Sequence, residues 1–363
     1  MCIAILISIA RVDAAQLPIT LMIVVDRSGS VQRAGTAENI RHAVAEFVES
    51  TSAGKPIFEE QRDVIGLGSF ATSWKKDFLP SSIFRSGNAT LASAIHAIPF
   101  GTGSTNTSEA LYQAYDQLRI LNRRESLNVI LMITDGRPSA FTAKFDRPSE
   151  CELIPPKTGV IAATVGQMWP PLPPSISGEN GTYVIGLFNP AWAGDDLTMT
   201  KGADCHFSTD SKQAVPGASF YKDFSFLPDT DAYGNPLYGP IYRPEDRRTD
   251  NPRSIRFASF NAADNMATTI RKDRLLRPIV LVVGLNQPLA GGEPLDPAWL
   301  ARVANDITYL DALNKSLFHS DQTLGKFFQA RPETLGAVLQ NVASYIGQIT
   351  TQPIVKTVPR KSN

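Results

Sequence analysis

Residues 19–30 read ITLMIVVDRSGS, the strongest indication of fold class in this chain. Its first seven residues, 19–25, are all apolar or β-branched. A continuous run of this kind is typical of a strand that is buried on both faces. The run ends in Asp26-Arg27-Ser28-Gly29-Ser30, where Gly29 permits a sharp turn. A buried strand that ends in a cluster of polar side chains indicates an α/β sheet.

Three further apolar runs predict strands of the same sheet: residues 64–70 (VIGLGSF), 129–133 (VILMI) and 279–283 (IVLVV). Between them, apolar residues recur at helical spacing, for example over residues 36–50 and 108–121. Alternation of strands and helices predicts an α/β fold with a doubly wound, mostly parallel, Rossmann-like sheet flanked by helices. The helical stripes are formed by Ile40, Val44, Phe47 and Val48, by Leu91, Ala94, Ile95 and Ile98, by Leu111, Ala114, Tyr115 and Leu118, by Ala263, Met266 and Ile270, by Leu300 and Val303, and by Leu335, Val338, Leu339, Val342 and Ile346.

Oxygen-bearing side chains follow two of the predicted strands and precede one predicted helix. They are Asp26, Ser28 and Ser30 after the first strand, Thr105 in the loop GSTNT, and Asp135 in the loop TDG. Ligands of doubly wound sheets bind outside the carboxyl ends of the strands. A hard divalent cation takes about six oxygen ligands, which two carboxylates, three hydroxyls and water can supply. These five residues therefore predict a site for Mg²⁺, with Mn²⁺ or Ca²⁺ as alternatives.

Each motif alone has a structural explanation, because Asp and Ser also cap helices and build turns. Together and in this order they resemble the metal-ion-dependent adhesion site of von Willebrand factor A (VWA) domains, and the resemblance covers residues 18–136 and 261–350. It implies that Ser28, Ser30 and Thr105 bind the metal directly and that Asp26 and Asp135 act largely through water. It also implies that an acidic residue of a partner protein completes the coordination.

A narrower resemblance concerns residues 261–285, 295–306 and 327–349. These segments look like the C-terminal half of bacterial VWA proteins associated with Tad-type pilus assembly, chiefly through Arg302-Val303-Ala304-Asn305-Asp306. A transmembrane segment usually precedes the domain in that group. The resemblance implies a module for protein binding in adhesion, or in pilus or envelope assembly, that is extracytoplasmic and either membrane-anchored or secreted.

Composition excludes other classes of protein. The 363 residues are 43% hydrophobic and 19% charged, which is typical of a globular chain. Because 35 basic residues balance 35 acidic ones without a basic run, a nucleic-acid partner is not expected. The apolar run at residues 1–10 (MCIAILISIA) would form a helix of about 15 Å, too short for a hydrocarbon core of about 30 Å. We interpret it as a short export signal or as the end of a membrane anchor that starts upstream; a buried element at the domain edge is the alternative.

We predict four parts: a signal or anchor remnant (1–17), a VWA domain (18–350), a subdomain inserted into it (137–260) and a C-terminal tail (351–363). The insert is rich in Pro, Gly and Asn and contains a predicted strand at 182–187 (TYVIGL). Because it begins directly after Asp135, we expect it near the metal site, either as a determinant of partner specificity or as a stabilising cover. In an oxidising compartment, Cys151 and Cys205 could form a disulfide within it.

Two other functions compete with protein binding. One is an enzyme whose cation polarises a substrate, and the other is a VWA subunit of a chelatase-like ATPase complex. None of the four histidines, His42, His96, His206 and His319, lies in the three predicted metal loops, and the chain has no G-x-S-x-G, P-loop or H-E-x-x-H motif. A triad assembled by the fold remains open. The absence of these motifs favours a non-enzymatic module over an enzyme. A chelatase-like complex would also need an ATPase domain, which this sequence does not contain.

Overall fold

The computed structural model describes residues 16–52, 54–101, 103–144, 158–165, 183–188, 252–286, 295–309 and 319–351. The strands are β1 (Ile19–Asp26), β2 (Thr51–Ser52), β3 (Lys55–Pro56), β4 (Val64–Phe70), β5 (Trp74–Ser81), β6 (Leu127–Thr134), β7 (Ala140–Lys144), β8 (Thr158–Val165), β9 (Tyr183–Phe188), β10 (Ile279–Leu285) and β11 (Lys326–Ala330). The helices are α1 (Gly29–Arg33), α2 (Ala37–Val48), α3 (Leu91–His96), α4 (Thr107–Leu121), α5 (Pro252–Arg271), α6 (Pro297–Ala304) and α7 (Leu335–Thr350), with a 3₁₀ turn at Pro332–Thr334.

A six-stranded sheet forms the centre, with the strand order β11-β10-β6-β1-β4-β5. All neighbouring pairs are parallel except β4 and β5, which are antiparallel. In the register of the sheet, Val24 lies between Gly68 of β4 and Met132 of β6. The predicted doubly wound, mostly parallel sheet is therefore confirmed, with an antiparallel strand at one edge.

Helices cover both faces of this sheet, which explains the continuous apolar runs. Met22 and Val24 of β1 point into a layer with α4, α5 and α6. Ile23 and Val25 point into the opposite layer, with α2, α3 and α7. Since each face is buried, alternate residues of β1 do not need to be polar.

The structure adds elements that the sequence did not predict. β5 and β11 form the two edges of the central sheet, and β7 and β8 pair with β9 in a separate antiparallel sheet of order β7-β8-β9. β9 confirms the strand predicted at 182–187. Ile98 is buried but lies beyond the end of α3.

Some predictions fall elsewhere in the chain. Cys151, Cys205 and His206 lie outside the described residues, so the disulfide stays a prediction. The division into four parts also stays a prediction. In the described ranges, no helix combines the length and the apolar composition that crossing a bilayer requires.

Candidate metal centre

The first loop of the site follows β1 and is fixed at both ends. The Arg27 amide donates to the Phe70 carbonyl at 2.8 Å, which continues the pairing of β1 with β4. The Gly29 amide donates to the Gly103 carbonyl at 3.1 Å. Between these contacts the Ser28 amide donates to Asp26 Oδ1 at 2.9 Å, and the Ser28 and Ser30 hydroxyl oxygens lie 3.0 Å apart. The chain passes from β1 through the N-cap Ser28 into α1, which brings both hydroxyls to the carboxyl end of the sheet.

The second loop carries Thr105, and its backbone is tied to the loops that follow β4 and β6. The Ser104 amide donates to Thr72 Oγ1 at 2.9 Å, and the Asn106 amide donates to the Ala71 carbonyl at 2.9 Å. On the other side, the Thr105 amide donates to Ser139 Oγ at 3.0 Å, and the Thr105 carbonyl accepts the Ser139 amide at 2.9 Å. Thr105 is therefore positioned by its backbone, which leaves its hydroxyl for other contacts.

The third loop follows β6 and closes the cluster. Ser30 Oγ donates to Asp135 Oδ1 at 2.9 Å, and Thr134 Oγ1 donates to Asp26 Oδ2 at 2.6 Å. A Cβ atom placed on Gly136 would lie 3.6 Å from Thr105 Oγ1 and 3.8 Å from Ser30 Oγ. Both hydroxyls therefore border the same small space. The structure thus gathers all five predicted residues at the carboxyl end of the sheet.

The two carboxylates of the cluster differ in their surroundings. Asp26 is fully buried, and burial raises its pKa, against hydrogen bonds from Thr134 and Ser28 that lower it. Both of its oxygens already accept hydrogen bonds, from the Ser28 amide and from the Thr134 hydroxyl. Asp135 is 7% exposed, and Ser30 is half-buried. Solvent therefore reaches the Ser30 side of the cluster, while Asp26 lies beneath it.

The Ser28 and Ser30 hydroxyl oxygens are spaced as the ligands of a small cation are. In an octahedral Mg²⁺ site, with bonds of about 2.1 Å, neighbouring ligand oxygens lie about 3 Å apart. The separation of 3.0 Å between the Ser28 and Ser30 hydroxyl oxygens agrees with this value. Asp135 Oδ1, hydrogen-bonded to Ser30 Oγ, is close enough to act on such an ion through water. Hydroxyl and carboxylate oxygens are also the hard donors that Mg²⁺ and Mn²⁺ prefer. The residues present fit such an ion.

This donor set is poor in charged ligands. Across the described part of the chain, no group of three or more His, Cys, Asp or Glu side chains is placed to hold a metal ion. The candidate site has only two carboxylates, which it combines with three hydroxyls. Any ion held here would keep much of its positive charge.

Glu109, on α4 behind the Thr105 loop, is a buried carboxyl group that sequence reasoning missed. Burial raises its pKa to about 7, although Gln113 at 2.6 Å and Thr142 at 3.1 Å hydrogen-bond to it. The signal in the sequence is Asn106-x-x-Glu109, which resembles a capping box. Asn106 does cap α4 by accepting the Glu109 amide at 3.2 Å. The Glu109 carboxyl group, however, contacts Thr142 of β7 instead of returning to the Asn106 amide.

The histidines take no part in the three loops. His42 on α2 and His96 on α3 are exposed and stack edge to face, with ring centroids 6.0 Å apart. The His319 backbone is hydrogen-bonded to the Asn305 side chain, and burial lowers the pKa of the His319 ring. His42 and His96 therefore face solvent, as their exposure shows.

The residues behind the narrower resemblance also have structural roles. Arg302 forms a two-point ion pair with Asp264, at 2.9 and 2.7 Å. Asn305 ends α6 in the left-handed conformation, and Asp306 Oδ2 accepts the Phe327 amide at 2.9 Å. The pattern Arg302-Val303-Ala304-Asn305-Asp306 thus secures the end of α6 against α5 and β11.

Comparison with solved structures finds similar architectures at low sequence identity. The vWF domain of the type V pili tip protein Mfa5 from Porphyromonas gingivalis has 16% identity and a TM-score of 0.49, covering 94% of this chain and 98% of that one. The PilB minor pilin from Streptococcus sanguinis has 17% identity and a TM-score of 0.44, over 93% of this chain and 62% of that one. The pilus adhesin SpaC from Lactobacillus rhamnosus GG has 15% identity and a TM-score of 0.45, over 92% of this chain and 30% of that one. At these values the likenesses carry no argument about function.

Sequence comparison is more specific, although it covers a shorter range. No curated protein matches the chain significantly. Residues 21–137 match the family model of the von Willebrand factor type A domain, and neither this match nor the solved structures point to the Tad-associated group in particular. By this match, residues 21–137 are similar to von Willebrand factor type A domains, and they contain all five predicted metal-site residues.

Proposed function

We propose that this chain is a metal-ion-dependent protein-binding module. Ser28, Ser30 and Thr105 would hold Mg²⁺ or Mn²⁺ directly, and Asp26 and Asp135 would act on it largely through water. The observation that supports this best is the 3.0 Å separation of the Ser28 and Ser30 hydroxyl oxygens, as between neighbouring ligands of Mg²⁺. Asp135 Oδ1 lies beside them and accepts a hydrogen bond from Ser30 Oγ at 2.9 Å.

The charge of the site suggests which group a partner contributes. A cation held mainly by hydroxyls stays electrophilic and attracts a further carboxylate. Asp26 would support the ion from below, because hydrogen bonds from the Ser28 amide and the Thr134 hydroxyl already fix its two oxygens. The solvent-facing side, next to Ser30 and Gly136, is left for the partner. An acidic side chain of a protein partner is therefore the ligand that the site fits.

We further propose a binding role instead of catalysis. The three loops, residues 26–30, 103–107 and 134–136, contain no His, Cys or Lys that could serve as a general base or nucleophile. A metal-dependent enzyme or a chelatase-like subunit would need groups supplied from elsewhere. Adhesion, or assembly of a pilus or envelope structure as in the Tad-associated group, in an extracytoplasmic setting, is the finer form of this proposal.

The insert is the part of the chain proposed to select the partner. β7 begins at Ala140, and Ser139 just before it is hydrogen-bonded to Thr105. The chain therefore enters the predicted insert in direct contact with the candidate site. A stabilising cover remains the alternative role.

Thermal unfolding with and without metal tests the proposal. At a Mg²⁺ concentration of about ten times the dissociation constant, binding adds about 1.4 kcal/mol to the unfolding free energy. The midpoint should then rise by roughly 3–6 °C relative to the protein in EDTA. Ser30→Ala should remove this rise, because it deletes a hydroxyl between Ser28 and Asp135.

Ser86→Ala is the matched control. The Ser86 hydroxyl also donates to a carboxylate, that of Glu60, at 2.9 Å. Ser86 lies shortly after β5, whose last residue, Ser81, pairs with Ile65 near the start of β4. This is the end of β4 opposite the metal loops. This variant should keep the full rise in midpoint. Equal midpoints in EDTA and in Mg²⁺ for the unmodified protein would refute the metal site.

A further inference from the structure

Two loops form a basic surface at the end of the sheet opposite the candidate metal centre. The first comprises residues 119–125, the end of α4 and the loop toward β6, and the second comprises residues 272–277, the loop from α5 toward β10. β6 and β10 are parallel neighbours, so both loops lie at the amino ends of the strands, whereas the metal loops follow carboxyl ends. We call these two loops the basal surface.

Hydrogen bonds join the two loops into one surface. The Asn128 side-chain amide donates to the Arg123 carbonyl at 3.0 Å and to the Leu276 carbonyl at 2.9 Å. The Tyr115 hydroxyl donates to Asp273 Oδ2 at 2.8 Å, which links α4 to the second loop. The relative position of the two loops is therefore fixed.

The basal surface is positively charged, although the whole chain is neutral. Residues 116–125 and 272–277 together contain six cations and three anions, Asp116, Glu125 and Asp273, which leaves an excess of three positive charges. Asp273 is also engaged by the Tyr115 hydroxyl and by the Leu275 and Leu276 amides. The cations are Arg119, Arg123, Arg124, Lys272, Arg274 and Arg277.

Two large apolar side chains project from among these cations. Ile120 is 68% exposed and Leu275 is 63% exposed. Apolar side chains surrounded by Lys and Arg are typical of protein surfaces that lie on an anionic membrane. The apolar groups enter the interface while the cations attract the head groups.

The chain enters the domain at the same end. The Leu127 amide donates to the Pro18 carbonyl at 2.8 Å, so residue 18 lies beside the first basal loop. Only residues 11–15 separate Gln16 from the apolar sequence 1–10, and six extended residue steps reach at most about 20 Å. The Leu17 amide donates to the Thr350 carbonyl, so the C-terminal sequence with Lys356, Arg360 and Lys361 also follows from this end. One bilayer can therefore meet the apolar sequence and the basal surface.

We propose that the basal surface lies on an anionic lipid bilayer and that the candidate metal centre faces away from it. Charge favours lipid over a second copy of this chain, because two copies facing through this surface would each bring an excess of positive charge. The apolar sequence 1–10 brings the surface to the lipid, and the cations set its orientation.

Vesicle flotation with the full chain tests this proposal. We expect stronger association with vesicles in which about a third of the lipid is phosphatidylglycerol than with pure phosphatidylcholine, and a decrease with added salt. Arg274→Glu combined with Leu275→Ser should weaken association with the anionic vesicles at least about five-fold, since a basic residue near such a surface contributes about that factor. Arg124→Glu combined with Ile120→Ser should act in the same way.

Lys76→Glu combined with Leu79→Ser is the matched control. It makes the same changes on β5, at the edge of the sheet, where Leu79 is 66% exposed. All variants keep residues 1–10, so a difference between them reports on the basal surface alone. The proposal would be overturned if the control and the basal variants bound anionic vesicles equally. It would also be overturned if the unmodified protein bound neutral and anionic vesicles equally. A dimer that forms without lipid and is lost in the basal variants would assign the surface to a second copy instead. None of these outcomes bears on the metal site.

Discussion

Two buried carboxyl groups lie near the candidate metal centre, and their environments give them different chemistry. Asp26 accepts a backbone amide and the Thr134 hydroxyl, which hold it beneath the serine loop. Glu109 accepts from Gln113 and contacts Thr142, and burial brings its pKa to about 7. Glu109 therefore changes its protonation near neutral pH, whereas the role proposed for Asp26 is to support a cation through the serine loop.

The Glu109 pKa predicts a pH dependence of stability. Because the folded pKa of about 7 exceeds the ordinary value of 4.5, the folded state holds a proton that the unfolded state releases between these values. The contribution of Glu109 to stability is therefore largest below pH 4.5 and is lost as the pH rises through 7, by on the order of 3 kcal/mol. Glu109→Gln, which cannot ionise, should remove this loss and be the more stable protein at pH 8.

Urea unfolding at pH 5 and pH 8 measures this difference. The exposed Glu125→Gln variant serves as the control and should follow the unmodified protein. If Glu109→Gln and Glu125→Gln show the same change between the two pH values, Glu109 does not titrate in this range.

At the scale of elements, one buried side chain joins α5, α6 and the segment before β11. Arg271, at the end of α5, is 2% exposed and donates to the Arg302 carbonyl at 3.1 Å and the Val303 carbonyl at 2.6 Å. It also donates to Gln322 Oε1 at 2.9 Å. Burial lowers the pKa of Arg271 to about 10, although the nearby carboxylate of Asp264 raises it. The guanidinium therefore remains charged at neutral pH. The last carbonyls of α6 thus find a cationic cap in another helix.

We predict that Arg271→Met destabilises the fold by about 2–4 kcal/mol, because it removes the guanidinium that donates to the Val303 carbonyl and to buried Gln322. Exposed Arg119→Met should change stability by less than about 0.5 kcal/mol. Chemical unfolding of the two variants and the unmodified protein gives both values. A loss below about 1 kcal/mol for Arg271→Met would show that α6 is held by its apolar contacts alone.

At the scale of the whole molecule, the candidate site exists because three distant segments meet. β1 and β6 are neighbours in the sheet, and the loop before α4 bonds to the segments that follow β4 and β6. The opposite end of the sheet carries the basal surface, close to where residues 16–18 enter the domain. This arrangement separates a proposed membrane contact from a proposed partner site.

For the partner site, we predict that Thr105→Ala sharply weakens Mg²⁺-dependent capture of partners. The fold should be retained, since hydrogen bonds to the Thr105 backbone hold this residue in place. Proteins captured from envelope extracts in Mg²⁺ and released by EDTA should fall at least about ten-fold, the effect of losing roughly 1.4 kcal/mol. Thr269→Ala, which removes a hydroxyl from the exposed side of α5, should capture the same set. Unchanged capture by Thr105→Ala would remove this residue from the binding site.

Burial on both faces and helical periodicity are local signals, so β1, β4, β6, β10 and the main helices could be predicted from the sequence. The five candidate site residues could be proposed from the sequence because they stand beside strand or helix ends. The edge strands, the contact of Glu109 with Thr142, the Arg271 cap and the basal surface became visible in the folded structure alone. β5 reads WKKDFLPS, whose lysines and proline give no strand signal, and it becomes a strand through its pairing with β4. The other contacts join residues far apart in sequence, and only packing brings such residues together.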